Sequence, residues 1–148
     1  MSAINVLFGT ESGNAELVAD DISDTLNEAG VKAEVVAMEN FAVTDLVHAN
    51  TIIVITSTYG EGELPETTAP FRQALLDENP DLSHLRFAAF GLGDSSYDTY
   101  NNAISILAGC LSDLGASRIG EIGRHDAVSG DSFTDIAVEW TKSIIPAL

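Results

Sequence analysis

The apolar residues of this 148-residue chain fall into two patterns that alternate along it. Residues 51–56 and 86–92 are strongly apolar without alternation of polar and apolar positions, which is typical of strands buried on both faces of a parallel sheet. Residues 3–9 and 33–38 form shorter runs of the same kind, and residues 117–123 predict a weaker fifth strand. The apolar pattern therefore predicts five strands.

Helical periodicity separates these strands. After the first strand, one helix face is predicted to be apolar and another acidic, and Gly30 is expected to end that helix. Further helices are predicted over residues 68–78, 101–114 and 132–147. Since strand and helix alternate, we expect one α/β domain over residues 1–148, a doubly wound parallel sheet with helices on both faces. The apolar face comprises Ala15, Val18, Ala19, Ile22, Leu26 and Ala29, and the acidic face Glu16, Asp20, Asp24 and Glu28.

Composition limits the possible partners. The net charge of -17 would repel nucleic acid and anionic lipid, and it favours basic proteins as partners, although the acids could also serve solubility alone. Cys110 is the only cysteine, which excludes an internal disulfide and predicts a reducing compartment. No leader pattern and no apolar run of the roughly 20 residues that a bilayer needs is visible. A cytoplasmic protein without membrane association is therefore expected.

The loop after the first predicted strand, residues 10–15 (TESGNA), has the composition of a phosphate site. The hydroxyls of Thr10 and Ser12, the amide of Asn14 and the free N–H groups of a helix start could converge on one phosphate. An ordinary helix cap by Ser12 or Asn14 explains the same residues without a ligand. The loop is neither a Walker motif nor the Gly-x-Gly-x-x-Gly dinucleotide fingerprint.

Two further loops follow the third and fourth predicted strands. Residues 57–66 (STYGEGELPE) place Tyr59 beside Gly60 and Gly62, which offers a flat face for a planar ring and a backbone free to turn. Residues 91–101 (GLGDSSYDTYN) carry two more tyrosines. Each loop alone could be a surface turn, but three at the carboxyl end of one sheet favour a shared ligand site, because ligands of doubly wound sheets bind there.

The motifs T-x-S-G-N-A, S-T-Y-G-E-G-E-L-P and G-L-G-D-S-S-Y resemble, in order and spacing, the FMN-binding loops of flavodoxins. The resemblance covers nearly the whole chain and is close to short-chain, MioC-type flavodoxins and to the FMN domains of diflavin reductases such as sulfite reductase. It implies a flavodoxin-like five-stranded sheet in the order 2-1-3-4-5. It also implies FMN as the cofactor.

The same resemblance assigns roles to individual residues. It implies that residues 10–15 hold the phosphate, that Tyr59 and Tyr97 flank the isoalloxazine ring, and that backbone near Gly60 contacts N5. Ala15 stands where many flavodoxins have a threonine, and Glu11 is expected to point into solvent because it would repel the phosphate. The cofactor-binding residues so implied are Thr10, Glu11, Ser12, Gly13, Asn14, Ala15, Ser57, Thr58, Tyr59, Gly60, Glu61, Gly62, Leu92, Gly93, Asp94, Tyr97, Tyr100, Asn101 and Asp126.

The function implied is low-potential electron transfer by bound FMN, not catalysis by side chains. Acids near the ring would disfavour the negative charge of the reduced flavin. Basic redox partners are expected, a flavodoxin/ferredoxin reductase and an acceptor enzyme, and the protein is expected to be a monomer. The alternative is an FMN-binding accessory protein or subunit of a multi-component reductase. The three histidines of the chain, His48, His84 and His125, are expected to be solvated or capping, and no metal site is predicted.

Two flavin-free relatives of this fold lack support in the sequence. A response-regulator receiver needs an acidic pair after the first strand, where this chain has Gly9 and Thr10, and an aspartate after the third. A low-molecular-weight tyrosine phosphatase needs a cysteine and an arginine around its phosphate loop, whereas Cys110 falls in a predicted helix. We therefore set both classes aside.

Overall fold

The computed structural model describes residues 4–9, 14–57, 68–93, 102–126 and 132–148. Within these ranges, strands and helices alternate as the apolar pattern predicts. Short 3-10 helices cover Met38–Asn40, Val43–His48 and Ile145–Ala147. The strands and α-helices, in chain order, are β1 (Ile4–Gly9), α1 (Asn14–Glu28), β2 (Ala33–Ala37), β3 (Thr51–Ser57), α2 (Ala69–Glu78), β4 (Arg86–Gly93), α3 (Asn102–Asp113), β5 (Ser117–Arg118), β6 (Gly123–Asp126) and α4 (Phe133–Ile144).

All strand pairs in the described ranges are parallel, and the order β2-β1-β3-β4-β5 confirms the predicted order 2-1-3-4-5. The predicted fifth strand, residues 117–123, is wrong in extent. It is split into β5 and β6, which both pair with β4. Gly120 lies in the break with φ of 64°, a conformation that favours glycine, and the second piece continues to Asp126.

The sheet has an apolar core on each face, which explains the unbroken apolar runs. Neighbouring residues of a strand point to opposite faces, so Val54 packs with Leu7 on one side and Ile53 packs with Val6 on the other. Helices α2 and α3 cover the first core, and α1 and α4 cover the second. Since both faces are covered, the central strands have no solvent-facing side.

The boundaries of α1 match the prediction closely. Its predicted apolar face is buried except at Ala29, which lies beyond the helix end and is exposed. The acidic face is exposed. Gly30 follows with φ of 84°, the left-handed conformation that ends many helices. None of the helices in the described ranges combines the length and apolar character needed to cross a bilayer.

Candidate cofactor site at the carboxyl edge of the sheet

The carboxyl ends of four strands are aligned at one edge of the sheet. Gly9 at the end of β1 is in register with Thr56 of β3. Ser57 at the end of β3 is in register with Leu92, and Gly93 at the end of β4 is in register with Asp126. The loops singled out in the sequence begin at the ends of β1, β3 and β4. They therefore start within a residue or two of one another across the sheet.

The predicted site residues divide into two groups. Asn14, Ala15, Ser57, Leu92, Gly93 and Asp126 are described, and the backbone places all of them at this edge. Ala15 and Leu92 are buried, so they form part of the floor beneath the edge. The others lie outside the described residues: Thr10, Glu11, Ser12, Gly13, Thr58, Tyr59, Gly60, Glu61, Gly62, Asp94, Tyr97, Tyr100 and Asn101.

Helix α1 presents its amino terminus to this edge. It begins at Asn14, five positions after the end of β1, and runs for 15 residues. Its first N–H groups have no partner within the helix, and its dipole places partial positive charge there. Glu16 in the first turn is exposed. A helix start of this kind binds phosphate without a charged side chain.

The basic side chains of the chain, all within the described ranges, are mostly remote from this edge. Arg86 is the first residue of β4, Arg118 of β5 is in register with the adjacent Phe87, and Lys32 immediately precedes β2. Lys142 lies in the last turn of α4. The 3-10 helix that follows α4 accepts a hydrogen bond from Arg86 through the Ala147 carbonyl. These four cations therefore gather at the amino edge. The remaining two lie nearer the carboxyl edge: Arg72 is three residues after the start of α2, and Arg124 in β6 is two residues before Asp126.

A buried pair of hydroxyl groups lies directly beneath the edge. The Oγ1 atoms of Thr56 and Thr68 are 2.7 Å apart, and both side chains are fully buried. A Cβ atom built on Gly9 would collide with Thr68 Oγ1 and would come within 3.0 Å of Met38 Sδ. Sequence reasoning missed this pair, since a threonine within an apolar strand gives no sign of a partner twelve residues away.

The three histidines, expected to be solvated or capping, lie in different environments. His125 in β6 is buried, with its ring edge-on to Phe133 at a centroid distance of 6.0 Å and an interplanar angle of 81°, so it is not a solvated side chain. His84 Nε2 lies 3.2 Å from the Leu46 carbonyl oxygen, and His48 is exposed. No cluster of three or more metal-ligating side chains occurs among the residues the structure describes.

The described part of the edge fits FMN in two respects. The start of α1 supplies amide donors for a phosphate, and β4 ends in Gly93, where the absence of a Cβ atom lets a planar ring approach the backbone closely. A profile of the flavodoxin family matches residues 6–140. The chain belongs to the flavodoxin family. It is accordingly an FMN-dependent electron-transfer protein, of a family whose members accept electrons from reductases.

Individual relatives span the chain. Protein MioC of Escherichia coli (strain K12) is 36% identical over 148 residues, which cover 100% of this chain and 99% of that protein. The NADPH-dependent diflavin oxidoreductase 1 of Debaryomyces hansenii is 32% identical, and there the match covers 25% of the longer protein. These likenesses confirm the predicted resemblance to MioC-type flavodoxins and diflavin reductases. The second fits the alternative of a reductase subunit, but no better than it fits a separate carrier.

Solved structures agree with the fold. A cysteine-to-serine mutant of flavodoxin from Pseudomonas aeruginosa superposes with a TM-score of 0.89 at 29% identity, covering 99% of each chain. Oxidised Flavodoxin 2 from Bacillus cereus gives a TM-score of 0.88 at 26% identity, covering 99% of this chain and 100% of the other. This flavodoxin therefore shares the fold of these proteins over nearly its whole length.

Proposed function

We propose that the protein is a low-potential electron carrier whose FMN lies at the carboxyl edge, held by the three loops and Asp126. The observation that supports the site most directly is the register of Gly9, Ser57, Gly93 and Asp126, which brings the starts of these loops together. Bound FMN would supply the redox chemistry. The chain would bind it, exclude water from it and tune its potential.

Phosphate binding is assigned to residues 10–15. Neutral donors, namely the hydroxyls of Thr10 and Ser12, the amide of Asn14 and the N–H groups at the start of α1, would hold the dianion. Four of the six basic side chains lie at the opposite edge, which fits a site built without a lysine or arginine. Glu11 would point away from the phosphate, because two negative charges in contact repel.

Tuning of the flavin is assigned to the tyrosines and acids of the other loops. Tyr59 and Tyr97 would stack on the ring and keep water away from it. Glu61, Asp94 and Asp126 would then surround the ring with negative charge, remote from the four cations of the amino edge. Both desolvation and like charge disfavour a negative charge on the reduced ring. A low potential for the last reduction step follows.

The charge distribution supports basic redox partners. The loops at the carboxyl edge are rich in acids, whereas Lys32, Arg86, Arg118 and Lys142 gather at the amino edge. In a chain of net charge -17 this asymmetry would turn the flavin edge towards a positively charged reductase or acceptor enzyme during approach. We propose that residues 1–148 act as one monomeric FMN-binding domain in a reducing compartment such as the cytoplasm.

Three single substitutions test the phosphate assignment. Ser12→Ala and Asn14→Ala should each weaken FMN binding by about tenfold, because each removes one hydrogen bond to a charged group, roughly 1.5 kcal/mol. Glu11→Ala is the matched control from the same loop and should bind FMN at least as tightly as the wild type. Titration with riboflavin, which lacks the phosphate, should show little difference among the variants. Equal losses for both ligands would contradict the assignment.

Ionic strength tests the partner proposal. The second-order rate of electron transfer from a basic reductase should fall steeply as salt rises, since screening removes long-range steering. Neutralising acids of the loops, for example Glu63→Gln with Glu66→Gln, should flatten that dependence. The control is neutralisation of Glu28 on the exposed face of α1, which should leave the dependence unchanged. A salt-independent rate would refute electrostatic steering.

A further inference from the structure

We propose that Thr68 is a positioning residue for the FMN site, which fixes the ring-binding segment to the strand that leads into the phosphate-binding segment. It would do so through its hydrogen bond with Thr56 and its contact with Gly9. The inference rests on the proposed function, because it assumes that residues 10–15 hold the phosphate and that Tyr59 and its neighbours hold the ring. Thr68 itself would touch neither.

The hydrogen bond closes the segment between β3 and α2. Thr56 is the penultimate residue of β3, and Thr68 directly precedes α2. The segment 58–67 therefore lies between these two threonines in the chain. Their hydroxyl oxygens are 2.7 Å apart, and neither side chain is exposed to solvent. Because both side chains are shielded from bulk solvent, the wild-type protein depends on this bond to hold the two residues together. The two ends of the segment are therefore held at a fixed separation.

The Thr68 hydroxyl does not make the hydrogen bond that a threonine at a helix N-cap usually makes. Thr68 is the N-cap of α2, and N-cap threonines usually accept a hydrogen bond from the second or third helical N–H group. Thr68 makes no such bond, and its φ and ψ of -90° and -40° are helical. Pro70 lies in the first turn of the helix, where its missing N–H costs nothing. The helix start therefore leaves this hydroxyl to bind the strand.

The row of residues around Thr56 leaves space for Thr68. Gly9 of β1 and Gly91 of β4 are the register partners of Thr56 on its two sides, so the only side chain in this row of three strands is the threonine. Thr68 Oγ1 occupies the space that a Cβ atom on Gly9 would need. Gly9 is the last residue of β1, immediately before residues 10–13. Thr68 thus contacts Thr56, near the end of the strand that leads into the ring-binding segment, and Gly9, the last residue before the phosphate-binding segment.

This arrangement predicts that the two segments respond together when Thr68 changes. A shift of the α2 start would move the segment 58–67 and would also release Gly9 from its contact. The phosphate-binding and ring-binding segments would then no longer be held in one fixed arrangement. The affinity for FMN would fall although no group that touches FMN has changed. A positioning role therefore predicts a loss of FMN affinity in addition to any loss of protein stability.

The test uses the full chain with FMN. Thr68→Val keeps the volume and removes the hydroxyl, and Thr68→Ser restores the hydroxyl. Thr141→Val is the matched control, because Thr141 is also fully buried and donates a 2.7 Å hydrogen bond, to the Ala137 carbonyl within α4. The readouts are the FMN dissociation constant, the visible circular dichroism of the bound flavin and its reduction potentials. Thr56→Val removes the same bond from the strand side and replaces Thr68→Val if that variant does not fold.

Thr68→Val should weaken FMN binding by up to about tenfold, the limit reached if the whole cost of the broken buried hydrogen bond falls on the FMN-bound state, and should alter the flavin dichroism and potentials. Thr68→Ser should restore wild-type values to within about threefold, and Thr141→Val should lower stability without changing FMN binding or spectra. If Thr68→Val binds FMN with wild-type affinity, dichroism and potentials, the inference is wrong. A wild-type protein that binds no FMN would instead overturn the proposed function.

Discussion

Substitution of Gly123 by alanine tests the packing of the split fifth strand. Gly123 is buried at the start of β6, and a Cβ atom there would lie 2.5 Å from Phe90 Cδ2 and 2.6 Å from Trp140 Cδ1. The two rings form an edge-to-face pair with centroids 5.3 Å apart, and the Trp140 indole N–H donates to the Glu121 carbonyl at 3.2 Å. Phe90 is fully buried, so the partly exposed indole must move.

The expected loss of stability follows from the interactions that the displaced Trp140 indole would lose. An aromatic pair contributes about 0.5–1.5 kcal/mol beyond its buried area, and one hydrogen bond about 0.5–1.5 kcal/mol. If the indole cannot leave, overpacking costs about 1–3 kcal/mol instead. Both routes predict that Gly123→Ala lowers the free energy of unfolding by about 2 kcal/mol, which for a urea slope near 2 kcal/mol/M moves the midpoint by about 1 M.

Urea unfolding of the FMN-free protein measures this directly, since bound FMN would add its own stabilisation. Trp140 is the only tryptophan, so its fluorescence reports the perturbed site, and its native emission should shift to the red. Gly109→Ala is the control: Gly109 is exposed in α3, nothing lies within 4 Å of its added Cβ, and alanine should stabilise by about 0.5–1 kcal/mol. An unchanged midpoint and emission maximum for Gly123→Ala would refute this reasoning.

Three further predictions concern a helix cap and two titrating groups. Ser132→Ala should destabilise by about 1 kcal/mol in urea, because the Ser132 hydroxyl accepts a hydrogen bond from the Asp135 N–H at the start of α4. Burial raises the pKa of Cys110, so thiol reagents should modify it much more slowly in the native than in the unfolded protein. The corresponding stability should be complete below about pH 9 and decline above it, and the decline should shrink in Cys110→Ser. The Ser83 N–H holds the pKa of Asp81 below its usual value, so its carboxyl NMR titration should fall at lower pH than that of an unstructured aspartate, and Ser83→Pro should reverse this.

Sequence patterns predicted the parts of the fold that depend on local chemistry. The buried strands are visible because two covered faces require apolar residues at every position, as in residues 52–55. The end of α1 is visible because Gly30 adopts a left-handed conformation that other residues avoid. The split of the fifth strand was not visible. The Glu121 carbonyl in the break accepts a hydrogen bond from the Trp140 indole of α4, and no local pattern encodes that bond.

The candidate site, like the fold, could be predicted from the sequence only where it depends on local residue types. The donors, glycines and tyrosines of its loops predict a phosphate and a planar ring, and the resemblance of the motifs to those of flavodoxins implies FMN. The support beneath the loops is not recognisable, since Thr56 and Thr68 are twelve residues apart and each has a local role that would explain it. The burial of His125 against Phe133 was not predicted for the same reason, because this contact joins β6 to α4. Pairs that are distant in sequence require the structure.

The alternation of strand and helix also explains how a chain of net charge -17 binds a phosphate. Helices α1 to α4 each follow a strand of a parallel sheet, so all four begin at its carboxyl edge and end towards its amino edge. Their dipoles favour anions at the first edge and cations at the second. Lys142 in the last turn of α4 follows that preference, whereas α1, α2 and α3 have no basic residue in the last turn and end at Glu28, Glu78 and Asp113. In the proposed site, aligned backbone dipoles would therefore favour the FMN phosphate, and the basic side chains of the far edge would lie where they do not raise the potential of the flavin.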